Sequence, residues 1–206
     1  MSYIPGLTLP ASVFNSAPAS ILLPLTLGLG SGLISQPGRS VPKSGSDAAA
    51  AHRGTWKPIQ ERYKALKLPP FRPPPWLFAP VWTALYVLMG YGSHRAWTNG
   101  MASKIPRTVE DTRRAATLYT IQLGLNLAFM PLFFGLGRPI DALVDIVTLT
   151  GAVGYLTYIW TKVDRVAASC LVPYLAWLGF ANYLTAGTGY LNGWTAKDAA
   201  AAEREE

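Results

Sequence analysis

Five apolar runs, at residues 11–35, 76–97, 115–135, 140–161 and 166–191, govern what this 206-residue chain can become. A helix needs about 20 residues to cross a hydrocarbon core of about 30 Å, and each run reaches that length. Half of the residues are hydrophobic, only 14% are charged, and the mean hydropathy is +0.21. That composition points to the bilayer rather than water as the main solvent. The connections at 136–139 and 162–165 are short enough to force antiparallel neighbours. The expected fold is therefore an all-α membrane protein, a five-transmembrane-helix bundle running up and down. Pro18 and Pro24 interrupt the first run, so its start or a kink must accommodate them.

The apolar runs also set the organisation. Residues 1–10 form an N-terminal segment, 11–191 the membrane domain with a long first loop at 36–75, and 192–206 a polar tail. Within the loop, 36–54 reads as a flexible insert and 55–68 as a short amphipathic interfacial helix. A pI near 9.6 would suit nucleic acid if the basic side chains shared a soluble face. They fall mainly between the apolar runs instead, so no nucleic-acid partner is expected. Eleven of the 18 Lys and Arg lie on the side that holds the first loop and the C-terminal tail, which favours a cytosolic C-terminus. No Lys or Arg precedes Arg39, so targeting is expected to be internal. Cys170 has no internal disulfide partner and reads as a small hydrophobe. His52 and His94 give no metal-ligand spacing, and no metal is expected.

Chemistry must come from polar and aromatic residues on the helices. Tyr119, Gln122, Asn126, Phe129 and Phe133 recur at spacings of three and four and share one face of the third run. Amides inside a membrane are costly unless hydrogen-bonded, so that face should look into the bundle. Phe78, Trp82, Tyr86 and Met89 repeat the pattern on the second run, and Tyr174, Trp177, Ala181 and Leu184 on the fifth. Three such stripes suit a pocket for a flat apolar ligand, and they equally suit helix packing with no ligand. Trp76 and Trp97 bracket the second run as interfacial belt residues. Asp145 is a candidate intramembrane carboxylate or a residue close to the interface, with Arg138 too near the helix end to be an assured partner. Gly28 and Gly32 form a GxxxG that serves either a homodimer or internal packing. The prolines of PPFRPPP (69–75) either present a polyproline II ligand or fix the angle at which the loop meets the helix.

Four stretches, PPPWLFAPVWTALYVLMGYGS (73–93), LYTIQLGLNLAFMPLFFG (118–135), DALVD (141–145) and VPYLAWLGFANYL (172–184), resemble the tryptophan-rich sensory protein and translocator protein family, TspO/MBR. They cover four of the five runs in the family's order. The resemblance implies a five-helix bundle, often dimeric, that binds tetrapyrroles such as protoporphyrin IX, and also sterols and synthetic ligands. It implies a receptor or carrier role in porphyrin or lipid homeostasis, with porphyrin as ligand and no obligatory cofactor. The placement it implies is the outer mitochondrial membrane, or another endomembrane in some lineages.

Residue by residue, Trp82 and Trp177 match pocket tryptophans that bacterial relatives need for light-driven porphyrin breakdown. They are the only residues a catalytic role would use. Ala79, Asn126, Ala181 and Leu184 match pocket-lining positions. The chain departs from the family at Arg62-Tyr63, where a Trp-Tyr pair is usual, at LPPF (68–71), and at Phe129, which replaces a tryptophan and lacks an indole N–H. Asp141 stands where some animal relatives carry tryptophan, which argues against high affinity for synthetic ligands. Six residues separate Tyr190 from Lys197, one too many for the animal sterol motif, and the aligned position is Ala186, so sterol ranks below porphyrin.

Overall fold

The computed structural model describes residues 3–34, 67–136 and 138–194. The expected interfacial helix at 55–68, the Arg62-Tyr63 pair and the tail from 195 onward fall outside them, apart from residues 67 and 68. The described residues are mostly helical, with five long helices: α1 (Ala17–Ile34), α2 (Phe78–Met101), α3 (Pro106–Met130), α4 (Pro139–Val163) and α5 (Arg165–Leu191).

Proline and aspartate set the starts. Pro106 and Pro139 occupy the first turns of α3 and α4, where a missing N–H costs nothing. Pro75 opens a 3₁₀ turn, Pro75–Leu77, that runs directly into α2. Asp164 caps α5, its carboxylate accepting from the Ala167 N–H at 2.9 Å. At the far end of α3, Pro131 cannot donate to the carbonyl of Leu127, and the chain continues as a π turn, Pro131–Gly135.

The first apolar run is not one helix. A short helix, Ala11–Asn15, ends at Ser16 before α1 begins at Ala17. The cause is Pro18, which has no N–H for the carbonyl of Phe14. That carbonyl instead takes a hydrogen bond from His94 Nδ1 at 2.7 Å, so the nitrogen facing it carries the proton. Pro24, by contrast, lies inside α1 without ending it. Gly90 of α2 packs against α1 here, where a Cβ would sit 2.4 Å from the Ser20 carbonyl oxygen.

Around the bundle the helices follow the order α1, α2, α5, α4, α3, with α3 returning to α1 and also touching α2. Met89, Tyr119, Leu149, Leu156, Leu171, Tyr174 and Leu178 fill the interior. The N-terminal segment is stitched onto α3. Ile4 N–H donates to Thr117 Oγ1 at 3.2 Å, Leu9 N–H donates to Thr120 Oγ1 at 3.0 Å, and the Thr8 and Thr117 hydroxyls lie 2.6 Å apart. Phe14 is fully buried between Trp97, at 5.2 Å, and Tyr119, at 5.8 Å. Trp97 is consequently a core residue that donates its indole N–H to Asn15 Oδ1 at 2.8 Å, not a belt residue. Trp76, by contrast, is 67% exposed.

Among the described residues, three helical stretches are long and apolar enough to cross a membrane: Pro106–Phe133, Pro139–Val163 and Arg165–Leu191. α1 is apolar but shorter over Ala17–Ser31. α2 is diluted by Ser93, His94, Arg95, Thr98 and Asn99 in its last turns. Large apolar side chains such as Ile140, Val144 and Val147 point outward from α4. In water such a face would be a liability, whereas lipid accepts it. The chain is an all-α integral membrane protein.

Candidate functional site

The centre of the bundle holds a hydrogen-bonded chain across three helices. Tyr86 on α2 donates its hydroxyl to Asn126 Oδ1 at 2.8 Å, and Asn126 on α3 donates through Nδ2 to the Tyr174 hydroxyl on α5 at 2.9 Å. All three side chains are buried. The geometry follows from the stripes: each polar atom lies on the inward face of its helix, and partners there replace the water that is absent. Tyr86 reaches this position because α1 offers Gly28, where a Cβ would lie 2.2 Å from the Tyr86 ring. Of the two GxxxG readings, Gly28 serves internal packing.

Aromatic rings surround the chain. Trp82 packs 5.4 Å from Tyr86 and edge-on to Tyr174 at 6.1 Å. Toward the start of α2, Phe78 meets Trp177 edge-on at 5.7 Å, and Trp177 meets Phe180 at 5.7 Å. Trp82, Trp177 and Phe78 are only half-buried, so they form the outer edge of the cluster while Tyr86 and Tyr174 form its floor. The indole N–H groups of Trp82 and Trp177 donate to no described residue. Phe129 stacks on Phe133 at 5.7 Å, with Phe129 packed against the core.

The remaining sequence-derived residues are placed less centrally. Gln122, fully buried, sends its amide to Met89 Sδ at 3.3 Å and leaves Oε1 without a partner. Ala181 and Ala79 are half-buried and Leu184 is buried, and no hydrogen bond or ring contact ties them to the tyrosines. Asp145 is 8% exposed and its Oδ2 has no partner. Arg138 does not reach it and pairs with Asp141 one turn earlier. Tyr174 is the member that stripe counting undervalues. Its spacing of three from Trp177 carried the signal, and its place as terminal acceptor of the chain did not show. Among the described residues no three His, Cys, Asp or Glu side chains gather as metal ligands would.

This arrangement suits recognition of a flat apolar body more than acid–base work. The half-buried ring faces and edges supply contact area, while the buried amide and hydroxyls beneath them are bonded to one another and fix the rings in place. A second polar cluster lies at the opposite end of α5. Arg95 Nε stands 3.0 Å from Asp164 Oδ2, and Asn99 donates to the same carboxylate. Burial alone would raise the Asp164 pKa; the Ala167 N–H, Asn99 and Arg95 outweigh it and hold the carboxyl below its ordinary value.

Residues 20–191 match the TspO/MBR family. The chain is 44% identical to the translocator protein homolog of Schizosaccharomyces pombe over 138 residues, covering 67% of this chain and 81% of that protein. It is 41% identical to the Homo sapiens translocator protein over 122 residues, 59% of this chain and 69% of that one. The tryptophan-rich protein TspO of Archaeoglobus fulgidus is 41% identical over 138 residues, 67% of this chain and 84% of its own. The four motif stretches and the helices that carry them fall inside residues 20–191, and the chain belongs to the TspO/MBR family.

Proposed function

We propose that the protein is a five-span membrane receptor or carrier that binds a tetrapyrrole at the aromatic cluster. The observation that carries this reading is the Tyr86–Asn126–Tyr174 chain with Trp82 packed on both tyrosines and Trp177 packed on Phe78, one turn before Trp82 on α2. A porphyrin ring stacks on the half-buried indole faces, and its polar edge meets the free indole N–H groups. α1 and α2 complete the five spans. At 1.5 Å per residue α1 extends about 27 Å and α2 about 36 Å. The polar atoms of α2 are satisfied internally, His94 by Phe14, Arg95 and Asn99 by Asp164, and Ser93 by Gly90, so its low hydropathy does not bar insertion.

Sterol ranks second as ligand, favoured by Tyr190, 77% exposed at the end of α5 where lipid reaches it. Light-dependent porphyrin breakdown at Trp82 and Trp177 is the enzymatic reading of the same cluster, and bleaching no faster than in buffer removes it. The reading also includes a place in the outer mitochondrial membrane or another endomembrane, with a cytosolic C-terminus. Titration of the purified full chain with protoporphyrin IX, followed by the porphyrin absorbance, should give saturable binding. A linear, unsaturable signal would refute the proposal.

A further inference from the structure

At the end of the bundle where α3 begins, a groove of about 430 Å³ opens between the N-terminal segment and the start of α3. Tyr3 forms one wall, Ser103 and Lys104 the second, and Val109, Glu110 and Arg113 the third. Its charge is unbalanced. Glu110 is taken by Arg114, whereas Lys104 and Arg113 pair with no carboxylate among the described residues. The first turn of α3 carries no acidic side chain, and its N-cap Ile105 offers no side-chain hydrogen bond. The positive end of a 25-residue helix therefore adds to the field of two free cations.

Placement narrows the occupant. The groove sits at the N-terminus of a membrane-length helix, and Ile105, 62% exposed, neighbours Lys104. The groove residues of α3, 106–113, directly precede the third apolar run at 115, so in a bilayer they reach into the headgroup layer. The prevalent anion there is the lipid phosphate, which two cations, a serine hydroxyl and a tyrosine rim suit in charge and size. The wall that contains Tyr3 is held by the hydrogen bonds of Ile4, Thr8 and Leu9 to α3. Residues 1–19 lie outside the family match, so this wall is not part of what the family comparison describes.

We propose that the groove binds a phosphate ester at the membrane surface, the headgroup of an anionic glycerophospholipid. The test uses the full chain in nanodiscs containing phosphatidylcholine and phosphatidylglycerol, with retained lipid counted by native mass spectrometry after mild delipidation. The wild type should hold phosphatidylglycerol selectively, and Lys104→Ala/Arg113→Ala should retain at least tenfold less with unchanged helicity, as expected for two surface cations. Arg107→Ala, an exposed cation outside the groove on the same helix, should retain lipid like the wild type. Displacement by inorganic phosphate would assign the site to a soluble phosphate, and resistance to it would assign the site to lipid. Equal retention by the wild type and the double variant, or an equal loss in Arg107→Ala, would overturn the proposal.

Discussion

The Tyr86–Asn126–Tyr174 chain makes a sharp energetic prediction because each member has only the others for partners. Asn126→Leu nearly conserves volume but leaves two buried hydroxyls unpaired at once. Interhelical hydrogen bonds in membranes average about 0.6 kcal/mol and reach about 1.7 kcal/mol. An orphaned buried polar group costs about 1–3 kcal/mol. Asn126→Leu should therefore destabilise by about 1–3 kcal/mol, and Tyr86→Phe, which orphans only Asn126 Oδ1, by about 1 kcal/mol. The triple variant Tyr86→Phe/Asn126→Leu/Tyr174→Phe has no orphaned group left at this place. Its loss should fall well short of the three single losses added together, since replacing both partners of a bond by apolar groups is nearly neutral. Equilibrium unfolding in mixed micelles, followed by circular dichroism, measures all of these. Additive losses, or no loss in Asn126→Leu, would refute the claim that these three groups satisfy one another.

Other contacts are testable in the same way. Gly28→Ala places a methyl on the Tyr86 ring and Gly90→Ala places one on the backbone of α1, so thermal unfolding in detergent should show each costing about 1–3 kcal/mol. Gly124→Ala, where a Cβ meets nothing, should not lower stability. Asp164 has a folded pKa below its ordinary 3.8, so its stabilisation is complete above that value and is lost as pH falls through the folded pKa. Asp164→Asn keeps a capping side chain but no charge; it should melt below the wild type at neutral pH, with the gap closing in acid, and a pH-independent gap would exclude the linkage. Asn192 brackets Lys67, accepting from its N–H at 3.1 Å and donating to its carbonyl at 2.8 Å, while Tyr183 donates to the Pro70 carbonyl at 2.9 Å. Asn192→Ala should therefore speed amide exchange at Lys67 and Leu68, as seen by mass spectrometry, and leave α3 and α4 unchanged.

Much of this architecture was legible because helix starts and inward faces are local signals. Pro139 closes the connection before the fourth run and opens α4, and the three aromatic stripes place Tyr86, Asn126 and Tyr174 on buried faces, whereas α3 begins at Pro106, nine residues before the apolar run expected from 115. What depends on partners distant in the chain was not legible. The break at Ser16 is stabilised by His94, 80 residues away, which takes over the carbonyl that Pro18 cannot use. Trp97 flanks its helix as Trp76 does, and only the burial of Phe14 beside it distinguishes core from interface. Likewise, spacing shows that Asn126 faces inward but not that its two neighbours are tyrosines from α2 and α5. That requires the relative rotation of three helices, which no single run encodes. Asp145 illustrates the same limit: its burial depends on packing, and the nearest cation in sequence, Arg138, turns to Asp141 instead.

The central claim is that Trp82 and Trp177 edge a ligand site rather than merely pack helices. The most direct measurement compares protoporphyrin IX affinity in Trp82→Phe/Trp177→Phe with that in Trp76→Phe, each as a full chain with native helicity. Phenylalanine keeps a ring face but removes the indole N–H and part of the stacking area at both edges of the cluster. The double variant should bind at least tenfold more weakly, a loss of about 1.4 kcal/mol, while Trp76→Phe binds like the wild type. Equal affinity in all three proteins would contradict the account and leave the aromatic stripes as helix packing alone.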